Sequence, residues 1–219
     1  MTTDGDRDGL ELDAERELLH VALGGPAASA LADRGSIAQD LAFARDAALR
    51  YATLTARPDL DDPLVANALW NAAAIAYRRA FGSGKAMLQQ RKSRLRLTRD
   101  DVANMEGLSR DQRDAHLLTL DLANKHVAHR VGDQEDARVV ALLAPPPAPH
   151  AVEGLAVLYF RMVGPEPEVA QRLAEVAQLL LDDVLQQIEE RRQGLLENLV
   201  ADPDVARFYD QPTACTDSQ

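Results

Sequence analysis

The sequence predicts a mainly α-helical bundle with one small β-hairpin, and three observations lead to it. Hydrophobic residues make up 46% of the chain but aromatics only 4%, so a core must be assembled from Ala, Leu and Val, which suits closely approaching helices. Apolar residues recur at helical spacing along most of the 219 residues. Between 138 and 162, two runs rich in Val, Leu, Tyr and Phe flank the Pro145 to Pro149 stretch, which no helix accommodates, so a hairpin with a long loop is expected there. The length fits one domain over 10–212, between unstructured ends at 1–9 and 213–219.

Leu12, Leu18, Leu19, Val21 and Leu23 predict a first, short helix over Leu10 to Leu23, stopped by Gly24-Gly25-Pro26. Ser36 followed by Gln39 has the capping-box form, and Ile37, Leu41, Ala44, Ala48 and Tyr51 continue a second helix up to Arg57-Pro58. After a turn at Asp59 to Pro63, Asp62 is placed to cap and Pro63 suits a first helical position, so a helix is expected from Leu64 to Phe81, ended by Gly82-Ser83-Gly84. Its composition predicts deep burial, with cations only at the C-terminal end, where they favour the helix dipole.

Thr98 is placed to cap a short helix through Met105. Ser109 with Gln112 repeats the capping-box form before a helix reaching about His129. On a helical wheel Leu117, Leu120, Ala123 and Val127 share one arc, and Leu118, Leu122, Lys125, His126 and His129 another, so this helix is expected to pack on its bundle on one side and meet a partner or ligand on the other. Pro165 and Pro167 open the longest helix, over 166–200, with a stripe of Val169, Leu173, Val176, Leu180, Val184, Ile188 and Leu195.

The single cysteine, Cys215, excludes an intramolecular disulfide, and no stretch approaches a membrane span, so the expectation is a cytoplasmic protein with no membrane partner. The formal net charge of -11 argues against a uniformly phosphate-binding surface. From Arg78 to Arg99, however, Arg78, Arg79, Lys85, Arg91, Lys92, Arg94, Arg96 and Arg99 occur without an Asp or Glu. That block either pairs with acidic helices of the same chain, or is solvated, or contacts phosphates.

The chemistry-bearing residues concentrate in Asp121 to Arg130, which gathers Asn124, Lys125, His126, His129 and Arg130 where a helix ends. His129 either caps the helix or moves protons. His126 is either a surface neighbour or an accessory group, and Asn124 either satisfies backbone or belongs to a site. Lys125 either pairs with Asp121 one turn earlier or supplies a cation, and Arg79 either anchors the bundle or touches phosphate. His126 and His129 lack the third and fourth ligands of a usual metal site, and His116 is poorly phased to join them, so no metal or cofactor is expected. Gly82-Ser83-Gly84-Lys85 lacks the spacing of a phosphate-binding glycine loop.

The segment from Trp70 to Arg130 resembles the HEPN-like superfamily of helical bundles, specifically its bacterial uncharacterised and abortive-infection members. Three features carry the likeness. Tyr77-Arg78-Arg79-Ala80-Phe81 looks like that group's Tyr-x-Arg-x-Phe helix end, His116 stands at the expected distance, and Asn124-Lys125-His126-Val127-Ala128-His129 looks like its Arg-Asn/Asp-Lys-His-x-Ala-His signature. The resemblance implies a metal-independent endoribonuclease or RNA-binding protein in bacterial defence or a toxin system, often with a site shared across a homodimer, and with a protein antitoxin as a further partner. In active members the motif's arginine and final histidine act together. Here Ala123 stands in the arginine's position, and Lys125, Arg79 or Arg130 is left to replace the charge. The competing reading is a catalytically inactive dimeric interaction scaffold. In the RNA-binding reading His129, Lys125, Asn124 and Arg79 form the catalytic set, with His126 and His116 accessory, and Arg78, Lys85, Arg91, Lys92, Arg94, Arg96 and Arg130 hold phosphates. The expected homodimer runs through the helix bearing Lys125 and His129.

Overall fold

The computed structural model describes residues 20–57, 62–88, 92–103, 105–127, 135–146, 151–161 and 164–210. The expected first helix lies outside these residues apart from 20–23, which are not helical, and so do both expected unstructured ends.

Helix α1 spans Gly25–Thr55. It begins where Gly24-Gly25-Pro26 was expected to end a helix, because Pro26 in the first turn is preorganised for one and has no amide hydrogen to leave unpaired. Ser36 therefore sits inside a running helix and caps nothing; its hydroxyl accepts from Arg94. Helix α2 spans Pro63–Phe81, and the Asp62 carboxylate accepts from the amides of Leu64 and Val65 as expected. The short α3, Arg99–Ala103, starts on a reciprocal pair: Asp101 N–H donates to Thr98 Oγ1 at 3.3 Å and Thr98 N–H to the Asp101 carboxylate at 2.5 Å. Helix α4 spans Arg110–Leu122 behind a complete Ser109/Gln112 capping box. A wider π-helical turn, Ala123–Val127, follows.

Strands β1, Glu135–Leu143, and β2, Val152–Arg161, pair antiparallel with Val139 opposite Val157 and an irregularity at Leu142/Leu143. Helix α5, Pro167–Val200, is the expected long helix, and a 3₁₀ turn over Val205–Phe208 follows it.

The molecule is thus mainly helical, with the hairpin between α4 and α5. Helix α1 packs against both α5 and α2, while α4 packs against α5 and α2. The core is poor in bulk and rich in alanine: Ala44, Ala48, Ala73, Ala74, Ala80, Ala170 and Ala177 are fully enclosed beside Leu41, Tyr77, Leu173 and Leu180. Small side chains let the helix backbones approach closely while the apolar stripes are buried. Gly164, at φ +132°, lies against Tyr51 and Trp70, where a Cβ would come within 2.7 Å of the Tyr51 hydroxyl. That hydroxyl donates to the Pro165 carbonyl at 2.6 Å, fixing the entry to α5.

Candidate nucleic-acid interface

The cation-rich site grows from the end of α2. Arg78 and Arg79 occupy its last turn, and Gly82 ends it, its N–H donating to the Arg79 carbonyl. The connection that follows is tied to α1 by a buried polar row. The fully buried Asp33 carboxylate accepts from the amides of Met87 at 2.8 Å and Leu95 at 2.9 Å, holding both limbs of the connection at once. Ser29 Oγ donates to the Leu88 carbonyl at 3.0 Å, and Arg94 Nη2 reaches Ser36 Oγ at 3.0 Å and the Asp40 carboxylate at 3.2 Å. Leu97 N–H then donates to the Ala80 carbonyl at 2.9 Å, which sets the next residues beside the end of α2.

From the other side come Leu120 of α4 and Asn124 of the π-helical turn. Arg78 Nε donates to Asn124 Oδ1, linking α2 to the turn. Between these elements lies a cleft of about 410 Å³. Arg78, Arg96 and Arg99 supply its charge, Ser83, Thr98 and Asn124 its neutral polar groups, and Phe81, Leu97 and Leu120 its apolar wall. Among the described residues, no Asp or Glu lines it. Three guanidinium groups in a concave setting without a carboxylate make an anion site, and their planar donor forks match phosphate oxygens.

Behind the cleft wall, Tyr77, Phe81 and His116 pack as one aromatic cluster, with ring centroids 5.1 to 5.8 Å apart. His116 is 2% exposed, and its Nδ1 lies 2.8 Å from the Tyr77 hydroxyl. Burial, aided by the positive charge of Arg99, pushes the imidazole down to about 4, so it is neutral at neutral pH. Burial pushes the Tyr77 phenol up in turn. Among the described residues, Nε2 of His116 is buried without a hydrogen-bond partner.

Of the site residues expected from sequence, the structure unites Arg78, Arg96 and Asn124 in the cleft. Arg79 pairs with Asp40 at 3.3 Å and Lys125 with Asp121 at 3.0 Å, the anchoring alternatives for both. Arg94 is turned inward onto Asp40, its side chain 13% exposed. Lys85 and Lys92 are exposed and do not line the cleft. The backbone of His126 belongs to the π-helical turn; Arg91, His129 and Arg130 lie outside the described residues. Ala123 is enclosed in the core at 1% exposure. Among the described residues no three His, Cys, Asp or Glu side chains gather as a metal-binding group, and no helix is long and apolar enough to cross a membrane.

Sequence reasoning placed Arg99 in the basic block and Thr98 as a helix cap, but singled out neither Ser83 nor Thr98 as a site residue. The Thr98/Asp101 cap was the available signal, since it fixes where α3 begins and hence where Arg99 stands.

No protein-family model, curated protein or solved structure matches this chain. The chemistry of the cleft is the ground on which a function can be argued.

Proposed function

We propose that the chain is a HEPN-like RNA-binding protein of the bacterial cytoplasm, acting in defence or a toxin system, with the arginine cleft as its phosphate site. The observation that carries this reading is the convergence of Arg78, Arg96 and Arg99 on one cleft that, among the described residues, no carboxylate lines. The net charge of -11 makes so concentrated a positive site against an acidic background a selective feature. RNA is the expected anion because an extended phosphate chain rewards several spaced cations, and the apolar wall offers unpaired bases a surface to contact.

In the same reading, cleavage needs no metal. His129 takes the 2′-hydroxyl proton, the 2′-oxygen attacks the adjacent phosphorus, and the bond to the 5′-oxygen breaks, leaving a cyclic phosphate and a 5′-hydroxyl whose proton comes from solvent water. In this reading Arg78, tied to Asn124 at the cleft, supplies the cation that steadies the phosphoryl charge.

Titration of single-stranded RNA at low ionic strength tests the reading. Saturable binding that weakens linearly in log salt supports it; no binding at low salt favours a non-catalytic scaffold that assembles with itself, an antitoxin or another protein. Total bacterial RNA incubated in EDTA with the wild type and with His129→Ala then separates a ribonuclease from a binder, since only a ribonuclease gives cyclic-phosphate ends that the variant abolishes.

The scaffold reading has its own support. Along the hairpin, Val139, Leu155, Val157 and Tyr159 share one side and are 50 to 80% exposed, an apolar face of the kind that meets partners.

A further inference from the structure

The cations around the arginine cleft are engaged, and those inside it are not. Arg79 and Arg94 both turn to Asp40, at 3.3 and 3.2 Å, and Lys125 is held by Asp121 at 3.0 Å. Arg96 and Arg99 are exposed, and among the described residues neither makes a hydrogen bond or an ion pair. A surface that tracks a nucleic-acid strand carries its positive charge along several nucleotides. Here the flanking cations are neutralised on a chain of net charge -11, so the attraction is concentrated in one place. At about 410 Å³ the cleft is near the lower end of the roughly 300 to 1,000 Å³ of ligand pockets, room for one nucleotide and not for a run of them.

An internal phosphodiester offers a single negative charge, whereas a terminal phosphomonoester carries about −1.5 to −2 at pH 7 and three strong acceptor oxygens. Three guanidinium forks beside the hydroxyls of Ser83 and Thr98 supply more donors than one diester accepts, and they suit the monoester. We propose that the cleft reads the phosphorylated end of an RNA strand. Arg96 and Arg99 grip the terminal phosphate, and the terminal nucleotide lies against the wall of Phe81, Leu97 and Leu120. Arg78, already tied to Asn124, is left for the next phosphate along. The inference rests on the RNA reading above and narrows it from the backbone of a strand to its end. A 5′- and a 3′-phosphate share this chemistry, and the experiment tells them apart.

Short single-stranded RNAs of one sequence, 2′-O-methylated so that they cannot be cleaved, carry a 5′-monophosphate, a 3′-monophosphate or hydroxyls at both ends. Each competes with a common internally labelled strand for the full chain at about 50 mM salt. One phosphorylated strand is expected to bind at least about tenfold tighter than the hydroxyl-ended one, the value of one charge-assisted hydrogen bond, and that strand identifies the end. Arg96→Gln/Arg99→Gln is expected to erase the preference, and Lys85→Gln/Lys92→Gln to keep it. All four side chains are exposed, so the variants fold; circular dichroism checks this. Equal affinity for the three strands, weakening with salt, overturns the proposal and leaves the RNA reading standing, whereas no binding by any strand removes both. A preference that survives Arg96→Gln/Arg99→Gln also overturns it, by placing the strand end elsewhere. So does tighter binding of a nucleoside 5′-monophosphate than of either phosphorylated strand, which makes a free nucleotide the ligand.

Discussion

Arg78 at the end of α2 donates its Nε hydrogen to Asn124 Oδ1 in the π-helical turn after α4, so the last turns of two neighbouring helices are held by one side-chain bond at the mouth of the arginine cleft. The widened turn gives Asn124 this position. Such π-turns are frequent at functional sites because they re-aim side chains that a regular helix would carry elsewhere.

Asn124→Ala removes the acceptor that orients Arg78 while leaving its charge. RNA affinity is expected to fall about 3- to 10-fold, the value of one side-chain hydrogen bond. Arg78→Gln is expected to cost more, because it removes the charge as well. Fluorescence anisotropy with a short RNA reads both, and equal losses would show that orientation contributes nothing.

Restoring an arginine at position 123 is expected to harm the protein. Ala123 is enclosed in the core, so Ala123→Arg forces a long cation into packed alanines and leucines, with an expected loss on the order of 3 kcal/mol in urea unfolding. A stable, active Ala123→Arg variant would contradict Arg78 as the cation of this site.

How much of this was legible in the sequence differs by element. The Asp62 and Ser109/Gln112 caps, the ends of α2 and the two prolines before α5 are local signals, and they placed those elements closely. The start of α1 was misread because Gly24-Gly25-Pro26 ends one helix or begins another with equal local logic, and the packing of Ala28 and Ala30 decides for the second. Within the basic block, sequence could not sort the cations. Arg94 and Arg79 turn to Asp40 while Arg96 and Arg99 face the cleft, because Asp33 and Asp40, far earlier in the chain, bind the connection and the end of α2. Long-range carboxylates leave no local mark.

Asp33→Ala removes the acceptor of two amides, Met87 and Leu95, and leaves them unpaired or forces the connection to open. A loss of about 2 to 6 kcal/mol is expected in urea unfolding, at about 1 to 3 kcal/mol per orphaned group. Faster amide exchange at both residues would accompany it. Unchanged exchange would mean that the Asp33 bonds do not hold the connection after α2.

The buried His116 makes stability depend on pH. Its pKa is pushed down to about 4 in the folded protein, against 6.5 ordinarily, so the unfolded chain binds the proton first. This contribution is complete above about pH 6.5 and is lost as pH falls toward 4, amounting to about 2 kcal/mol by pH 5. Urea midpoints of the wild type should fall across that window more steeply than those of His116→Gln. Parallel profiles would place the pH dependence in other groups.

The arginine cleft is tested most directly by titrating a short single-stranded RNA, at about 50 mM salt, with the wild type, with Arg96→Gln/Arg99→Gln and with Lys85→Gln/Lys92→Gln. The cleft variant is expected to lose at least tenfold in affinity and about 1.4 units of the log–log salt slope, at 0.7 per phosphate contact, whereas the lysine variant loses far less. Equal affinity of the wild type and the cleft variant would contradict an RNA phosphate site between α2 and the turn after α4.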